Sequence, residues 1–332
     1  MLEHGGRLLQ AARTYGIPPD RWLDLSTGIS PFAWPVPSVP ASVWQRLPED
    51  DDGLVEIACA YYGALHVLPV AGSQAAIQAL PVLRPPSRVG VIAPGYNEHA
   101  HAWRRAGHMV DTLPASALLA DVSRFDVIVL IHPNNPGGDR FDPAALRACH
   151  QALASRGGWL IVDEAFMDAT PGESLCGETW REGLIVLRSA GKFFGMAGAR
   201  AGFVAAHPEL LEALRDRLGP WTLSGPTRFV LKQALADVAW HGEAREWLRS
   251  ASDRLASMLS RYEMVPTAGC AFFQWWQSMG AESVHVAFAR QGILTRLFST
   301  PASLRFGLPA DAEAFQRLDE ALQSLKREKP SL

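Results

Sequence analysis

Lysine is nearly missing from this chain. Of 31 basic side chains only Lys192, Lys232, Lys326 and Lys329 are lysine, and the rest are arginine. Lys326 and Lys329 fall in a charged tail and Lys232 in a helical pattern. Lys192 alone stands among glycines and aromatics, in Ser189-Ala190-Gly191-Lys192-Phe193-Phe194-Gly195. A desolvated ammonium is costly unless paired or deprotonated, and a lysine so placed becomes a nucleophile. The plain alternative is a surface lysine in a Gly-rich loop. Cysteine is also scarce: Cys59, Cys149, Cys176 and Cys270 are far apart, with no CxxC pair. That excludes a disulfide framework or a zinc site and predicts reduced thiols. No apolar run approaches the length of a membrane span. Met1 to Gly6 hold no apolar core of a signal peptide, so a cytoplasmic protein is expected. A net charge of -3 gives no reason to expect nucleic acid as a partner. Phosphate recognition would have to come from local arginines.

What is present is a chain of 332 residues, 48% hydrophobic and 20% charged, long enough to enclose a deep pocket. Residues 1–40 mix a short helical pattern (Leu8, Leu9, Ala12, Tyr15) with a tight loop, Ser26 to Pro31, and Pro-rich chain. Leu54 to Tyr62 predicts a helix ending at Gly63. Short strands are predicted at 65–70, 88–93, 109–113, 126–131, 159–162 and 184–187, with those at 88–93, 126–131 and 159–162 buried. Polar residues follow these strands. Gly72-Ser73-Gln74 makes a turn into a helix start, Tyr96 follows Pro94-Gly95, and Asn134-Asn135-Pro136-Gly137 is a fixed turn. Asp163-Glu164-Ala165-Phe166 places two carboxylates after a buried strand, which is expensive unless they are used or paired. His99 and His101 point to different helix faces, so no metal site is expected. The alternation argues an α/β doubly wound layer with its site on one rim. Residues 208–265 read as mostly helical. From Pro266 the pattern changes to a smaller α+β unit, with an aromatic strand at 271–276, a helix at 284–291, a strand at 293–298 carrying Arg296, a strand at 304–308 and a closing helix at 311–326.

Taken as one site, Lys192 is an amine nucleophile and Asp163 a buried carboxylate. Gly72 to Gln74, Ser189 and Arg200 are anion-binding candidates. Tyr96 is an aromatic plate and Asn135 an amide donor. These are the parts that pyridoxal 5'-phosphate (PLP) needs: an amine for its aldehyde, a phosphate cradle, and a carboxylate to keep its ring nitrogen protonated.

The chain resembles the fold-type I PLP enzymes of the aspartate aminotransferase superfamily. Four motifs in order carry the resemblance: Asn134-Asn135-Pro136-Gly137, Asp163-Glu164-Ala165-Phe166, Ser189-x-x-Lys192 with Arg200 eight residues on, and Leu304-Arg305-Phe306. The resemblance implies a large, mostly parallel sheet domain and a smaller α+β domain. It places the N-terminal arm at 1–40, packing with the small domain, the large PLP-binding domain at 41–240 and the small domain at 241–332. It implies that Lys192 is the Schiff-base lysine and that Asp163 pairs with the ring nitrogen. Asn135 reaches the ring's phenolic oxygen and Tyr96 stacks on the ring. Ser73, Gln74, Ser189 and Arg200 hold the phosphate, with Gly72 in the same turn, and Arg305 takes a substrate carboxylate. A homodimer is implied as well. Two positions depart from the pattern. Phe166 stands where members usually have a tyrosine that binds the phenolic oxygen. Leu47 stands where many have a tyrosine reaching the neighbouring subunit's phosphate.

Within the superfamily the resemblance runs to the L-threonine-O-3-phosphate decarboxylases of cobalamin biosynthesis, themselves similar to histidinol-phosphate aminotransferases. It rests on His4-Gly5-Gly6, the loop Asp24 to Pro31, and the pair Arg296 and Arg305. Gly28 and Ser30 replace two asparagines usual in that loop. The expected substrate is a small phosphorylated amino acid, met by His4, Gly5, Gly28, Asn135, Arg296 and Arg305. Two other readings stay open at this point: a histidinol-phosphate-type aminotransferase and a non-catalytic PLP-binding regulatory module.

Overall fold

A computed structural model describes residues 5–328. The chain divides into two compact units, one of residues 5–32, 136–138 and 244–328, the other of residues 33–135 and 139–243. The first begins with the helix Leu8–Tyr15, which Gly16 ends, and strand β1 (Leu23–Asp24).

The second unit is built on a seven-stranded sheet. Its strands are β2 (Val67–Val70), β3 (Arg88–Ile92), β4 (Met109–Leu113), β5 (Val127–Ile131), β6 (Trp159–Asp163), β7 (Leu184–Ser189) and β8 (Gly202–Ala205). They lie in the order β2-β8-β7-β6-β5-β3-β4. The run β7 to β4 is parallel, while β8 is antiparallel to both of its neighbours. β5 is Val-Ile-Val-Leu-Ile, buried at every position, because helices cover both faces of a sheet of this kind. Helix ends are written in the sequence. Asp142 accepts from the Ala144 amide at 2.9 Å to cap Pro143–Ala154, with Pro143 in the first turn. The predicted helix at 54–62 forms as Leu54–Tyr62, with Gly63 in the left-handed region as its stop.

Two strands of this sheet differ most from the sequence expectations. β8 is not among the predicted strands, since Gly-Phe-Val-Ala is too short to show a period. β7 runs to Ser189, not Leu187, and so carries Arg188 into the interior.

Arg188 is 2% exposed and holds two carboxylates of the same unit, Glu164 at 2.6 Å and Asp168 at 2.8 Å. Its guanidinium lies over the Tyr62 ring, and Tyr61 donates to Asp168 at 2.9 Å. Ser174 and the Leu175 amide donate to Glu164. Burial opposes the Arg188 charge, but Asp168, Cys176 and Glu164 hold its pKa above the ordinary value. The cluster ties the carboxyl ends of β6 and β7 together. Arg188→Met leaves two buried carboxylates without their cation, so a loss of about 3–5 kcal/mol is expected in urea unfolding.

The first unit contains a two-stranded pairing of β1 with β11 (Ile293–Leu294), which run parallel. Its four-stranded sheet has the order β12-β13-β10-β9, from β9 (Ala268–Cys270), β10 (Phe273–Gln277), β12 (Arg296–Ser299) and β13 (Ala302–Gly307). The expected single strand at 293–298 is thus two strands in two sheets, broken at Thr295. Arg296 and Arg305 are Cα partners across β12 and β13. Among the described residues no helix is long and apolar enough to cross a membrane.

Candidate active site

The carboxyl ends of β5, β6 and β7 open into one pocket of the larger unit. It is lined by Gly72, Ser73, Gln74, Tyr96, Ile131, Asn135, Asp163, Ala165, Phe166, Ser189, Lys192 and Arg200. Every residue expected to meet the cofactor is in that set, with Ile131 and Ala165 added.

β7 ends at Ser189 and the short helix Ala190–Phe193 follows, so Lys192 leaves the strand within one turn. Phe193 and Phe194 are fully buried against Trp240 and anchor that turn. The Lys192 Nζ lies 5.6 Å from the centroid of the Phe166 ring.

Asp163 is the last residue of β6 and 3% exposed. Its Oδ1 accepts from the Ala165 amide at 3.1 Å, and its Oδ2 lies 2.9 Å from His99 Nε2. A carboxylate only accepts, so Nε2 carries the hydrogen of that bond. His99 is itself 2% exposed. The sequence does not reveal its role, because helical spacing separates it from His101 without saying what either faces. The cost of two carboxylates after a buried strand is met separately: Asp163 by His99, Glu164 by Arg188.

At the other end of the pocket, Gly72 has φ 71°, and a Cβ there would stand 2.8 Å from an Arg200 guanidinium nitrogen. Only glycine lets that guanidinium lie against the turn. Ser73, Ser189 and Arg200 thus supply hydroxyls and a cation to one region. Tyr96 donates to Gln74 at 3.1 Å, and Gln74 donates to Glu98 at 3.0 Å. Burial, then Glu98 and Asp163, push the Tyr96 hydroxyl up to about 12, so it stays protonated. Asn134 is the structural member of its pair: its side-chain nitrogen donates to Pro94 O and Asp139, fixing the turn that presents Asn135.

The donor set suits PLP. It offers an amine, a carboxylate that can accept from a ring N–H, hydroxyls and a guanidinium for a phosphate, and Tyr96 at the wall. The residues expected to meet substrate, Asn135 apart, lie in the smaller unit. Gly5 and Arg296 line a cavity there with Arg7, Ser26 and His285. Arg305 is buried and donates to Ser26 O, and Gly28 is buried in the loop after β1. His4 lies outside the described residues.

A seven-stranded sheet with an amine, a carboxylate and an anion cradle at its carboxyl rim defines a cofactor-dependent transferase-like fold. The chain belongs to the aminotransferase class I and II family, whose model matches residues 56–324. It is 54% identical to a threonine-phosphate decarboxylase of Pseudomonas aeruginosa over 98% of both chains. Its fold is similar to the histidinol-phosphate aminotransferase of Sinorhizobium meliloti solved with pyridoxal-5'-phosphate, at TM-score 0.81 and 20% identity over 98% of this chain and 99% of that one. It is also similar to the L-threonine-O-3-phosphate decarboxylase of Porphyromonas gingivalis, at TM-score 0.73 and 18% identity over 86% and 92%.

Proposed function

We propose that this protein is a PLP-dependent decarboxylase of L-threonine O-3-phosphate, releasing carbon dioxide and (R)-1-amino-2-propanol O-2-phosphate. One observation carries the reading: Lys192, Asp163 (backed by His99), Ser73, Ser189 and Arg200 line one pocket, in a chain 54% identical to a threonine-phosphate decarboxylase. The product would serve as the linker of the cobalamin nucleotide loop, in the cytoplasm. We also propose a homodimer, with exposed Trp44 and Leu47 on its contact face.

When bound, PLP supplies an electron sink conjugated to the substrate's Cα. Lys192 Nζ would anchor the cofactor. Ser73, Ser189 and Arg200 would hold its phosphate, and Asn135 would donate to its ring oxygen. Asp163 would hold the proton on the ring nitrogen, and His99 would orient Asp163 for that task. Arg305 and Arg296 share the substrate's carboxylate and phosphate, with the Gly5–Gly6 segment beside them. They set the Cα–carboxylate bond as the one that breaks. Lys192 Nζ, its amine free once substrate is bound, would return a proton to Cα. Loss of the Cα proton instead would expel phosphate from the neighbouring carbon, so orientation of substrate protects the reaction.

The deciding assay supplies threonine phosphate and measures carbon dioxide, inorganic phosphate and amino transfer to 2-oxoglutarate. Carbon dioxide in step with substrate loss is the expected result. Amino transfer in its place would make the chain an aminotransferase. A further expectation concerns Phe166, which is buried on the pocket wall where a tyrosine is usual. Phe166→Tyr adds a donor for the ring oxygen and favours its anionic form. The pH at which the lysine-bound cofactor changes absorbance should fall by about one unit, the worth of one charge-assisted hydrogen bond.

A further inference from the structure

Asp24, Ser26 and Arg305 form a chain of contacts, with Ser26 and Arg305 279 residues apart in sequence. Asp24 Oδ1 accepts from both the Ser26 amide, at 2.8 Å, and the Ser26 hydroxyl, at 2.6 Å. A serine hydroxyl has one proton. Because Asp24 takes it, Ser26 Oγ is left to accept, and it accepts from the Gly6 amide at 2.8 Å. The other oxygen of the same residue, the Ser26 carbonyl, accepts from Arg305 Nη2 at 2.7 Å. Ser26 is 2% exposed and Arg305 6%. Gly5 packs so tightly that a Cβ would run into the Ser26 carbonyl oxygen. The loop itself is anchored on both sides, by Leu25 N to Leu294 O and by Gly307 N to Leu25 O, each 2.8 Å.

Arg305 is therefore not a loose guanidinium waiting for an anion. One of its nitrogens is committed to a carbonyl, which fixes the plane of the group. Burial, and then Arg296 on the neighbouring strand, lower its pKa to about 10. Two cations so close favour an anion between or beside them. We propose that Asp24 and Ser26 are positioning residues, a latch that holds Arg305 in its binding geometry and docks the Gly5–Gly6 segment through one serine. The latch sets how tightly substrate is held; once bound, substrate is still oriented by Arg305 and Arg296, which the latch variants keep, so the chemical step is preserved. This inference rests on the reading that Arg305 binds the substrate's carboxylate.

The test uses the full-length PLP-loaded protein and threonine phosphate. Asp24→Ala and Ser26→Ala should each raise KM about tenfold or more with kcat within about threefold, since uniform binding is lost without loss of transition-state chemistry. Asp24→Asn keeps an oxygen that accepts from both Ser26 groups and should restore the wild-type KM. Hydrogen exchange gives a readout apart from activity: the Gly6 amide, protected in the wild type and in Asp24→Asn, should exchange freely in Ser26→Ala. Ser26→Ala keeps the amide bond to Asp24, so it decides the matter if Asp24→Ala does not fold. Arg305→Lys is the control. If it leaves KM unchanged, the assignment of Arg305 is wrong and the latch falls with it. If it raises KM while Ser26→Ala does not, the latch alone is overturned. Equal losses in kcat and kcat/KM at unchanged KM would also overturn it.

Discussion

Lys192→Ala is expected to cost at least ~10³-fold in turnover, since the proposed reaction uses the amine both as the cofactor's anchor and as the proton donor to Cα. The fold should survive. The turn that carries Lys192 is held by Phe193 and Phe194, buried against Trp240, and these anchors are untouched by the substitution. The contact of the Lys192 ammonium with the Phe166 ring is worth about 0.5–1 kcal/mol, that of a partly exposed cation over an aromatic face. Borohydride should fix the cofactor to the wild-type protein and add its mass to the peptide containing Lys192. In the variant that adduct should be absent. Turnover retained in Lys192→Ala, or an adduct on Lys232, would remove Lys192 from the mechanism.

The same turn shows what a sequence can and cannot reveal. Lys192 is legible because lysine is so rare here that one among glycines and aromatics stands out. Asp163, Asn135 and Tyr96 are legible because each follows a buried apolar run, and a parallel sheet collects its strand ends on one rim. His99 is not legible. Nothing in Glu98-His99-Ala100-His101 says that one imidazole meets a carboxylate 64 residues away, because such a pair depends on how helix and sheet pack. Arg188 is hidden for a different reason. A charged residue at the end of an apolar strand reads as the point where the strand leaves the core. Here it stays inside, because Glu164 and Asp168 supply two carboxylates there. The break at Thr295 is equally invisible, since Ile293 to Phe298 holds strand-prone residues with no Gly or Pro to interrupt it. Only β1, from the other end of the chain, draws Ile293 and Leu294 into a separate pairing.

The two carboxylates after β6 divide the work of the rim, and their separation predicts different outcomes. Glu164 faces Arg188 and holds the scaffold, so its loss should appear in stability. Asp163 faces the pocket, so its loss should appear in rate. Asp163→Asn is nearly isosteric: the amide oxygen can still accept from the Ala165 N–H, and the His99 ring, in its other tautomer, can accept from the new NH₂. What disappears is the negative charge that would hold a proton on the ring nitrogen. A preorganised charge in a water-poor site is worth about 10²–10³-fold when removed, so kcat should fall by that factor. KM for threonine phosphate should change little, because the proposed function gives the substrate's anions to Arg296 and Arg305. Thermal unfolding of the variant should match the wild type, which separates this result from the Arg188→Met outcome. An Asp163→Asn protein with undiminished kcat would mean that the charge beside His99 serves packing alone, and the assignment of the pocket's acid would have to be abandoned.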